Sequence, residues 1–188
     1  DVYLMPITGG APTRLTYHPG PDEPLAFSAD GREVHFRSPR HHPHGLRELW
    51  TVSVNGGLPE RGGLRECSLL SPNASGRAFA FTPWSNERWG WKNYRGGTAP
   101  EIWVAEPRAN AFIQLTDDPA NDLFPMWLAG RVYFVSDRTG HTNIWSDTPR
   151  GGDLVQHTDF TSDENDPTAI DGYLITWAAA DAARNGRT

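Results

Sequence analysis

Short apolar runs recur along this chain, separated by polar stretches rich in glycine and proline. One kind of run pairs an aliphatic with an aromatic residue, and its aromatic members are Tyr3, Trp50, Trp103 and Trp145. The steps between these aromatics are 47, 53 and 42 residues. Intervals of similar size indicate an internal structural repeat, so the repeat is the unit to interpret.

Other features recur at fixed distances from the aromatic residue. A threonine follows three of the four aromatics by thirteen residues, at Thr16, Thr116 and Thr158. Between aromatic and threonine lies a tight-turn signal, and 26 to 28 residues after the aromatic comes a dipeptide that ends in glycine. The tight-turn signals are G-G at 9–10, 56–57 and 151–152 and P-R-A-N at 107–110; the later dipeptides are at 30–31, 75–76, 129–130 and 171–172.

An apolar run rich in β-branched and aromatic residues follows each of the later dipeptides, as expected of a buried strand. Each repeat therefore predicts four antiparallel strands, and four strands per 40–45 residues are typical of a β-propeller blade. We predict an all-β propeller with three complete blades and two half blades, part of a six-bladed ring. The predicted boundaries are a half blade at 1–20, blades at about 21–63, 64–119 and 120–162, a half blade at 163–180 and an irregular tail at 181–188.

Composition narrows the function classes. The 188 residues include 16 prolines and 19 glycines, which favours turns and short strands over long helices. The formal net charge of −6 argues against nucleic-acid or anionic-membrane binding, because those surfaces need positive potential. Cys67 is the single cysteine, so no internal disulfide can form. No run approaches the eighteen or so apolar residues of a membrane span, so none is predicted, and the residues D-V-Y-L-M-P at 1–6 show neither the basic region nor the apolar core of a signal peptide.

The segments S-A-D-G-R-E-V-H-F at 28–36 and D-R-T-G-H-T-N-I-W at 137–145 resemble the PD40 repeats shared by TolB and the tricorn protease. A second segment, W-G-W-K-N-Y-R-G-G-T-A-P-E-I-W at 89–103, is similar to one in the N-terminal six-bladed β-propeller of tricorn-like serine peptidases. The resemblance extends to about residue 178. Arg61-Gly62-Gly63 departs from it, because the repeat has leucine and threonine there.

The resemblance implies that catalysis belongs to a separate domain of the parent peptidase. The chain itself has no G-x-S-x-G nucleophile elbow, and Ser75 stands in a predicted turn. We therefore predict no catalytic residue and no cofactor in this segment.

An aromatic and basic insert is predicted at 82–100, between the second and third strands of its blade. Its aromatic planes and cations suit contact with peptides or a partner, but packing against a neighbouring blade or domain is favoured over such contact. The predicted binding residues of the insert are Trp89, Trp91, Lys92, Tyr94 and Arg95. Arg47, a basic residue near another rim loop, is predicted to bind as well.

Two groups of polar residues resemble metal sites, and neither is predicted to be one. The H-H-P-H run at 41–44 lacks a cysteine or carboxylate at ligand spacing, so a solvated loop is expected. The acidic turns at 116–119 and 163–167 lack the glycine and glutamate of a calcium loop. No metal ligand is predicted.

Two function classes remain. The first is an accessory propeller of a cytoplasmic tricorn-like serine peptidase, which guides or gates peptides to or from a separate catalytic domain. The alternative is a TolB-like scaffold for protein–protein interaction in the cell envelope, with a periplasmic location. The expected partners are peptides and other domains of the parent protein, and a homo-oligomer is compatible with both classes.

Overall fold

The computed structural model describes residues 1–42, 44–84 and 94–159, which form β-strands joined by turns. None of these residues belongs to a helix long and apolar enough to cross a membrane. The strands form one two-stranded sheet and three four-stranded sheets. The first sheet contains β1 (Tyr3–Leu4) and β2 (Thr13–Arg14); the second β3 (Glu23–Phe27), β4 (Glu33–Ser38), β5 (Glu48–Ser53) and β6 (Glu60–Arg61); the third β7 (Leu69–Pro72), β8 (Phe79–Thr82), β9 (Trp103–Glu106) and β10 (Ala111–Gln114); and the fourth β11 (Asp122–Leu128), β12 (Arg131–Ser136), β13 (Asn143–Asp147) and β14 (Val155–Gln156).

Each four-stranded sheet is an antiparallel meander in which consecutive strands are neighbours. This confirms the predicted all-β class with repeated four-stranded units. The half blade predicted at 163–180, the tail at 181–188 and residues 160–162 of the last predicted blade lie outside the described residues. The blade boundaries and the six-bladed ring stay predictions.

The predicted turns form where the sequence places them. Gly31, Gly76 and Gly130 have φ values of +70°, +67° and +80°, a conformation that glycine adopts without steric cost. In the third sheet the glycine pair is replaced by a turn of 3₁₀ helix at Pro107–Ala109, followed by Asn110 with φ of +51°. Asparagine tolerates the left-handed region better than most residues, so this repeat closes its turn without glycine.

The first strand of every complete sheet contains a proline: Pro24 in β3, Pro72 in β7 and Pro125 in β11. These strands pair on one side only, and an edge strand tolerates a residue that has no N–H. The first strands of consecutive sheets also lie beside one another. The prolines therefore lie in the strands at which consecutive sheets approach one another, and they prevent strand pairing on the unpaired side of these strands.

The apolar core lies between the sheets. One cluster joins the first and second sheets through Val2, Leu15 and Phe36. A second joins the second and third through Leu49 and Phe79, and a third joins the third and fourth sheets. The members of that third cluster are Ala80, Ile102, Val104, Val132 and Phe134, with Leu115, Trp127 and Trp145 packed against them. Every complete sheet therefore depends on a neighbour for its burial.

The repeated threonine has a defined structural role. The Oγ1 atoms of Thr16, Thr116 and Thr158 accept hydrogen bonds of 2.8–2.9 Å from the backbone N–H before the aromatic residue, which belongs to Val2, Ile102 or Ile144. The thirteen-residue spacing thus reflects one side-chain bond that closes the third strand against the fourth. The Thr116 hydroxyl also contacts Glu101 Oε2 at 2.6 Å.

The second sheet departs from this pattern, because Gly63 follows Trp50 by thirteen residues and thus occupies the position at which the other sheets have threonine. No threonine is available there, so the Leu49 N–H donates to the Leu64 carbonyl at 3.0 Å. A Cβ atom on Gly62 would lie 2.6 Å from Leu49 Cγ. The buried Leu49 side chain therefore occupies the space that the glycine leaves.

Gly62→Ala is expected to lower the free energy of unfolding by about 1–3 kcal/mol, because an added methyl group overpacks Leu49. Thermal unfolding measures the change. Gly97→Ala is the matched control: its Cβ meets nothing within 4 Å, so its effect should stay within about 0.5 kcal/mol. Equal stability of the two variants would contradict the packing at Leu49.

Glu101→Gln is expected to change the pH dependence of stability. Burial raises the pKa of Glu101 to about 7. The hydrogen bond from Thr116 lowers this pKa, whereas the negative charges of Asp122, Asp118 and Asp117 raise it further. The native state then holds the proton over a range in which the unfolded chain releases it, so this group's contribution to stability falls as pH rises from about 4.5 to 7.

The glutamine variant keeps an acceptor for Thr116 but has no such pH dependence. At pH 8 it should be more stable than the parent by about 1 kcal/mol, less than the full shift implies because the carboxyl is only half-buried. At pH 4 the difference should vanish. Parallel stability curves for parent and variant between these pH values would show that the Glu101 pKa is not raised.

Candidate functional site

In each of the three complete sheets, the connection between the second and third strands lies at the same end of the strands, because strand direction alternates in a meander. These connections are residues 39–47, 83–102 and 137–142. We call this end of the sheets the insert edge, since the middle connection contains most of the predicted insert. Of the predicted binding residues, Trp89, Trp91 and Lys92 lie outside the described part of the chain. Arg47, Tyr94 and Arg95 are described and belong to this edge.

An arginine clasp recurs at the insert edge of the second and fourth sheets. In the second sheet Arg40 donates to Asp22 at 2.8 Å and to Ser38 Oγ at 3.2 Å. The guanidinium also lies over the rings of Phe36 and Trp50, at 5.1 and 4.7 Å from their centroids. The clasp ties the connection after the second strand back to the start of the first strand in the same sheet.

In the fourth sheet Arg138 donates to both Asp122 oxygens at 3.1 and 3.0 Å and to Ser136 Oγ at 2.9 Å. It covers Phe134 and Trp145 in the same manner. This clasp was not predicted from the sequence, although S-P-R at 38–40 and S-D-R at 136–138 are its visible signal. The pairing was missed because the carboxylate lies 16 to 18 residues before the arginine.

The two clasp carboxyls differ in their titration. Burial acts to raise the pKa of Asp22, but hydrogen bonds from Ser38, Arg40 and Thr16 together outweigh it and lower the pKa. Burial raises the pKa of Asp122 and outweighs its arginine partner. The two aspartate side chains are equally inaccessible to solvent, so the difference lies in the balance between burial and hydrogen bonding.

The third sheet lacks this clasp among the described residues. Trp84 stands two residues after Thr82, where the other sheets have arginine two residues after serine. Thr82 Oγ1 is buried without a hydrogen-bond partner in the described structure, and Ala80 replaces the phenylalanine under the guanidinium. Among the described residues, the third sheet therefore does not show the contact that closes the same connection in the second and fourth sheets.

Arg95 is held by the neighbouring fourth sheet. Its guanidinium donates to Asp137 Oδ1 at 2.9 Å and to the Asp137 carbonyl at 3.2 Å. The Tyr94 carbonyl accepts a hydrogen bond of 3.0 Å from Asn121 Nδ2. The Arg95 side chain keeps 39% of its surface exposed, so it combines a fixed backbone with a guanidinium that solvent reaches.

Arg47 has a comparable environment on the second sheet. It forms an ion pair with Glu23, whose Oε2 also accepts a 2.6 Å bond from Arg37 Nε. The Arg47 side chain is 28% exposed. Both predicted binding arginines are therefore paired with a carboxylate that has a second donor, which sequence reasoning did not reveal.

In the histidine run His41 and His44 are exposed and His42 is half-buried, and two of these rings also contact the second sheet. The His41 ring packs edge-on against Trp50, with centroids 4.8 Å apart, and His42 Nε2 lies 3.1 Å from Glu48 Oε1. Glu48 is buried and corresponds to Glu101 in the third sheet, but Gly63 offers it no hydroxyl. The histidines face Glu48 in place of that hydroxyl, and His41 Nδ1 already accepts a hydrogen bond from Arg61.

No group of three or more histidine, cysteine, aspartate or glutamate residues in the described chain is arranged to hold a metal ion. The acidic turn before β11 has a structural role, because Asp118 Oδ1 accepts the Ala120 N–H at 2.8 Å. The acidic turn at 163–167 lies outside the described residues. Burial raises the pKa of Cys67 to about 12, so this thiol is not an activated nucleophile.

One serine–histidine contact exists that sequence reasoning did not predict. Ser146 Oγ lies 2.8 Å from His157 Nε2. The serine is fully buried, and Arg131 Nε donates to the same Oγ at 2.9 Å. A nucleophilic serine must reach substrate, so this contact is structural.

Residues 1–182 match the family described as the tricorn protease N-terminal beta propeller domain. The chain is similar to tricorn protease homolog 1 of Streptomyces coelicolor, with 29% identity over 98% of this chain and 16% of that protein. It is also similar to the tricorn protease homolog of Saccharolobus solfataricus, with 28% identity over 96% of this chain and 17% of that protein. The chain thus spans about one sixth of the length of these relatives.

Solved structures show the same fold. A putative TolB from Agrobacterium tumefaciens superposes with a TM-score of 0.67 and 16% identity, over 84% of this chain and 55% of that chain. TolB from Acinetobacter baumannii gives a TM-score of 0.64 and 18% identity, over 85% and 38% of the two chains. Stacked four-stranded sheets, repeated sequence and the family match over residues 1–182 agree. The chain belongs to the family of tricorn protease N-terminal beta propeller domains.

Proposed function

We propose that this domain is the non-catalytic propeller of a tricorn-like serine peptidase of the cytoplasm. In this proposal its insert edge guides or gates peptides on their way to or from a catalytic domain elsewhere in the parent protein. The observation that carries the proposal is the position of Arg47 and Arg95, which both lie in connections of the insert edge. Peptides and neighbouring domains of the parent are the partners.

The ion pairs of Arg47 and Arg95 suit reversible contact with a peptide carboxylate. Glu23 keeps a bond from Arg37 when Arg47 turns away, and Asp137 keeps two bonds from Asn121 when Arg95 does so. A buried carboxylate without a donor would be costly. Because each acid retains a donor, either arginine can exchange its internal partner for a peptide at low cost.

The alternative function is a TolB-like scaffold for protein interaction in the cell envelope. The likeness to TolB structures, at 16–18% identity, concerns the fold alone. The longer relatives carrying the name tricorn protease homolog favour the peptidase proposal. A PDZ and serine-protease region downstream in the same gene would support the peptidase, whereas a signal peptide with a short N-terminal domain would support the scaffold.

Arg47→Gln and Arg95→Gln in the full-length protein are each expected to weaken binding of a fluorescent acidic hexapeptide about 3- to 10-fold. Each removes one partly exposed guanidinium, and such a charge contributes about 1 kcal/mol. Fluorescence anisotropy at 50 and 500 mM salt measures the affinity. Screening should reduce the difference between parent and variants at the higher salt.

Arg32→Gln is the matched control for charge, because Arg32 lies in the turn between β3 and β4 at the opposite edge, with 85% of its side chain exposed. It should leave peptide affinity unchanged. Equal losses in all three variants would indicate a general charge effect. Unchanged affinity in both Arg47→Gln and Arg95→Gln would reject the insert edge as the peptide contact.

A further inference from the structure

The connection that contains the insert is attached to a sheet other than its own. In the second and fourth sheets, the arginine clasp ties the equivalent connection to the first strand of the same sheet through Asp22 or Asp122. In the third sheet no described residue provides this clasp. Its connection is instead bonded to the fourth sheet, at Asn121, Asp122 and Asp137.

Asn121 is the centre of this attachment. Its Nδ2 donates to the Tyr94 carbonyl at 3.0 Å and to Asp137 Oδ2 at 2.8 Å, and its backbone N–H donates to Asp137 Oδ1 at 2.9 Å. Both Asn121 and Asp137 are buried. The asparagine therefore fixes the backbone at Tyr94 and also orients the carboxylate that receives Arg95.

A second attachment lies a few residues further along. The Asp122 N–H donates to the Pro100 carbonyl at 2.8 Å, so residues 94–100 are bonded to the fourth sheet at both ends. Asp122 is in turn held by Arg138. Residues 94–100 therefore contact three residues of the fourth sheet. Asp122 belongs to the arginine clasp of that sheet, Asn121 directly precedes β11, and Asp137 directly follows β12.

We propose that Asn121 and Asp137 are positioning residues for Tyr94 and Arg95, so that the described end of the insert is placed by the neighbouring sheet. This inference rests on the proposed function where it concerns peptide contact, since it makes the affinity at Arg95 depend on residues that the peptide does not touch. The cross-sheet contact thus holds the connection of the one complete sheet whose described residues form no arginine clasp.

Limited trypsin digestion of the full-length protein tests the positioning role directly. Asn121→Ala should raise the rate of cleavage between Arg95 and Gly96 about tenfold, because the Asn121 Nδ2 hydrogen bonds to the Tyr94 carbonyl and to Asp137 Oδ2, which restrict local opening, are lost. Cleavage after Arg32, an exposed turn residue, is the internal reference and should not change. Asn143→Ala is the matched control, since Asn143 is a buried asparagine of the same sheet that bonds to Thr158.

Arg95→Lys covers the case in which Asn121→Ala unfolds the domain. It keeps the charge and a trypsin site, but lysine cannot make the two-point contact with Asp137. Its cleavage after position 95, normalised to the rate in denatured protein, should also rise. Unchanged cleavage at position 95 in both variants would overturn the inference, whatever the peptide affinity.

The peptide measurements separate this inference from the proposed function. Faster cleavage together with weaker peptide binding by Asn121→Ala, at unchanged melting temperature, supports both. Faster cleavage in a protein whose parent form binds no peptide supports the positioning role and rejects the proposed function. Weaker peptide binding with unchanged cleavage rejects the positioning role alone.

Discussion

The fold depends on one constraint: the two faces of a four-stranded sheet are buried only when other sheets pack against them. Phe36, Phe79 and Phe134 accordingly lie in clusters that each join two consecutive sheets. Burial of a phenylalanine side chain contributes roughly 1.5–3 kcal/mol. Since that contribution arises between sheets, each repeat needs its neighbours, as in other repeat architectures.

Polar contacts then decide how each sheet is closed. Thr16, Thr116 and Thr158 close the third strand against the fourth, and the Arg40 and Arg138 clasps close the connection after the second strand. This pattern is broken at two positions. Gly63 removes the threonine beside Glu48, and Trp84 replaces the arginine before the insert, so both exceptions change the insert edge.

The sequence was sufficient to predict the elements that depend on local signals. The spacing of aromatic, threonine and glycine residues predicted the strands and turns, because each signal acts within one repeat. The partners of Arg47 and Arg95 could not be predicted, since Glu23 and Asp137 reach them from 24 and 42 residues away. The histidine run was expected to lie in a solvated loop, and His41 and His44 are exposed, but the contacts of His41 with Trp50 and of His42 with Glu48 could not be predicted from the run itself.

Hydrogen exchange in a Phe134→Ala variant tests the inter-sheet account most directly. Phe134 belongs to β12, but its cluster includes Ala80 of β8 and Val104 of β9 in the preceding sheet. The account predicts that the amides of β8 and β9 lose protection together with those of β12 and β13. Loss of protection confined to β11–β14 would contradict it, because each sheet would then be stable on its own.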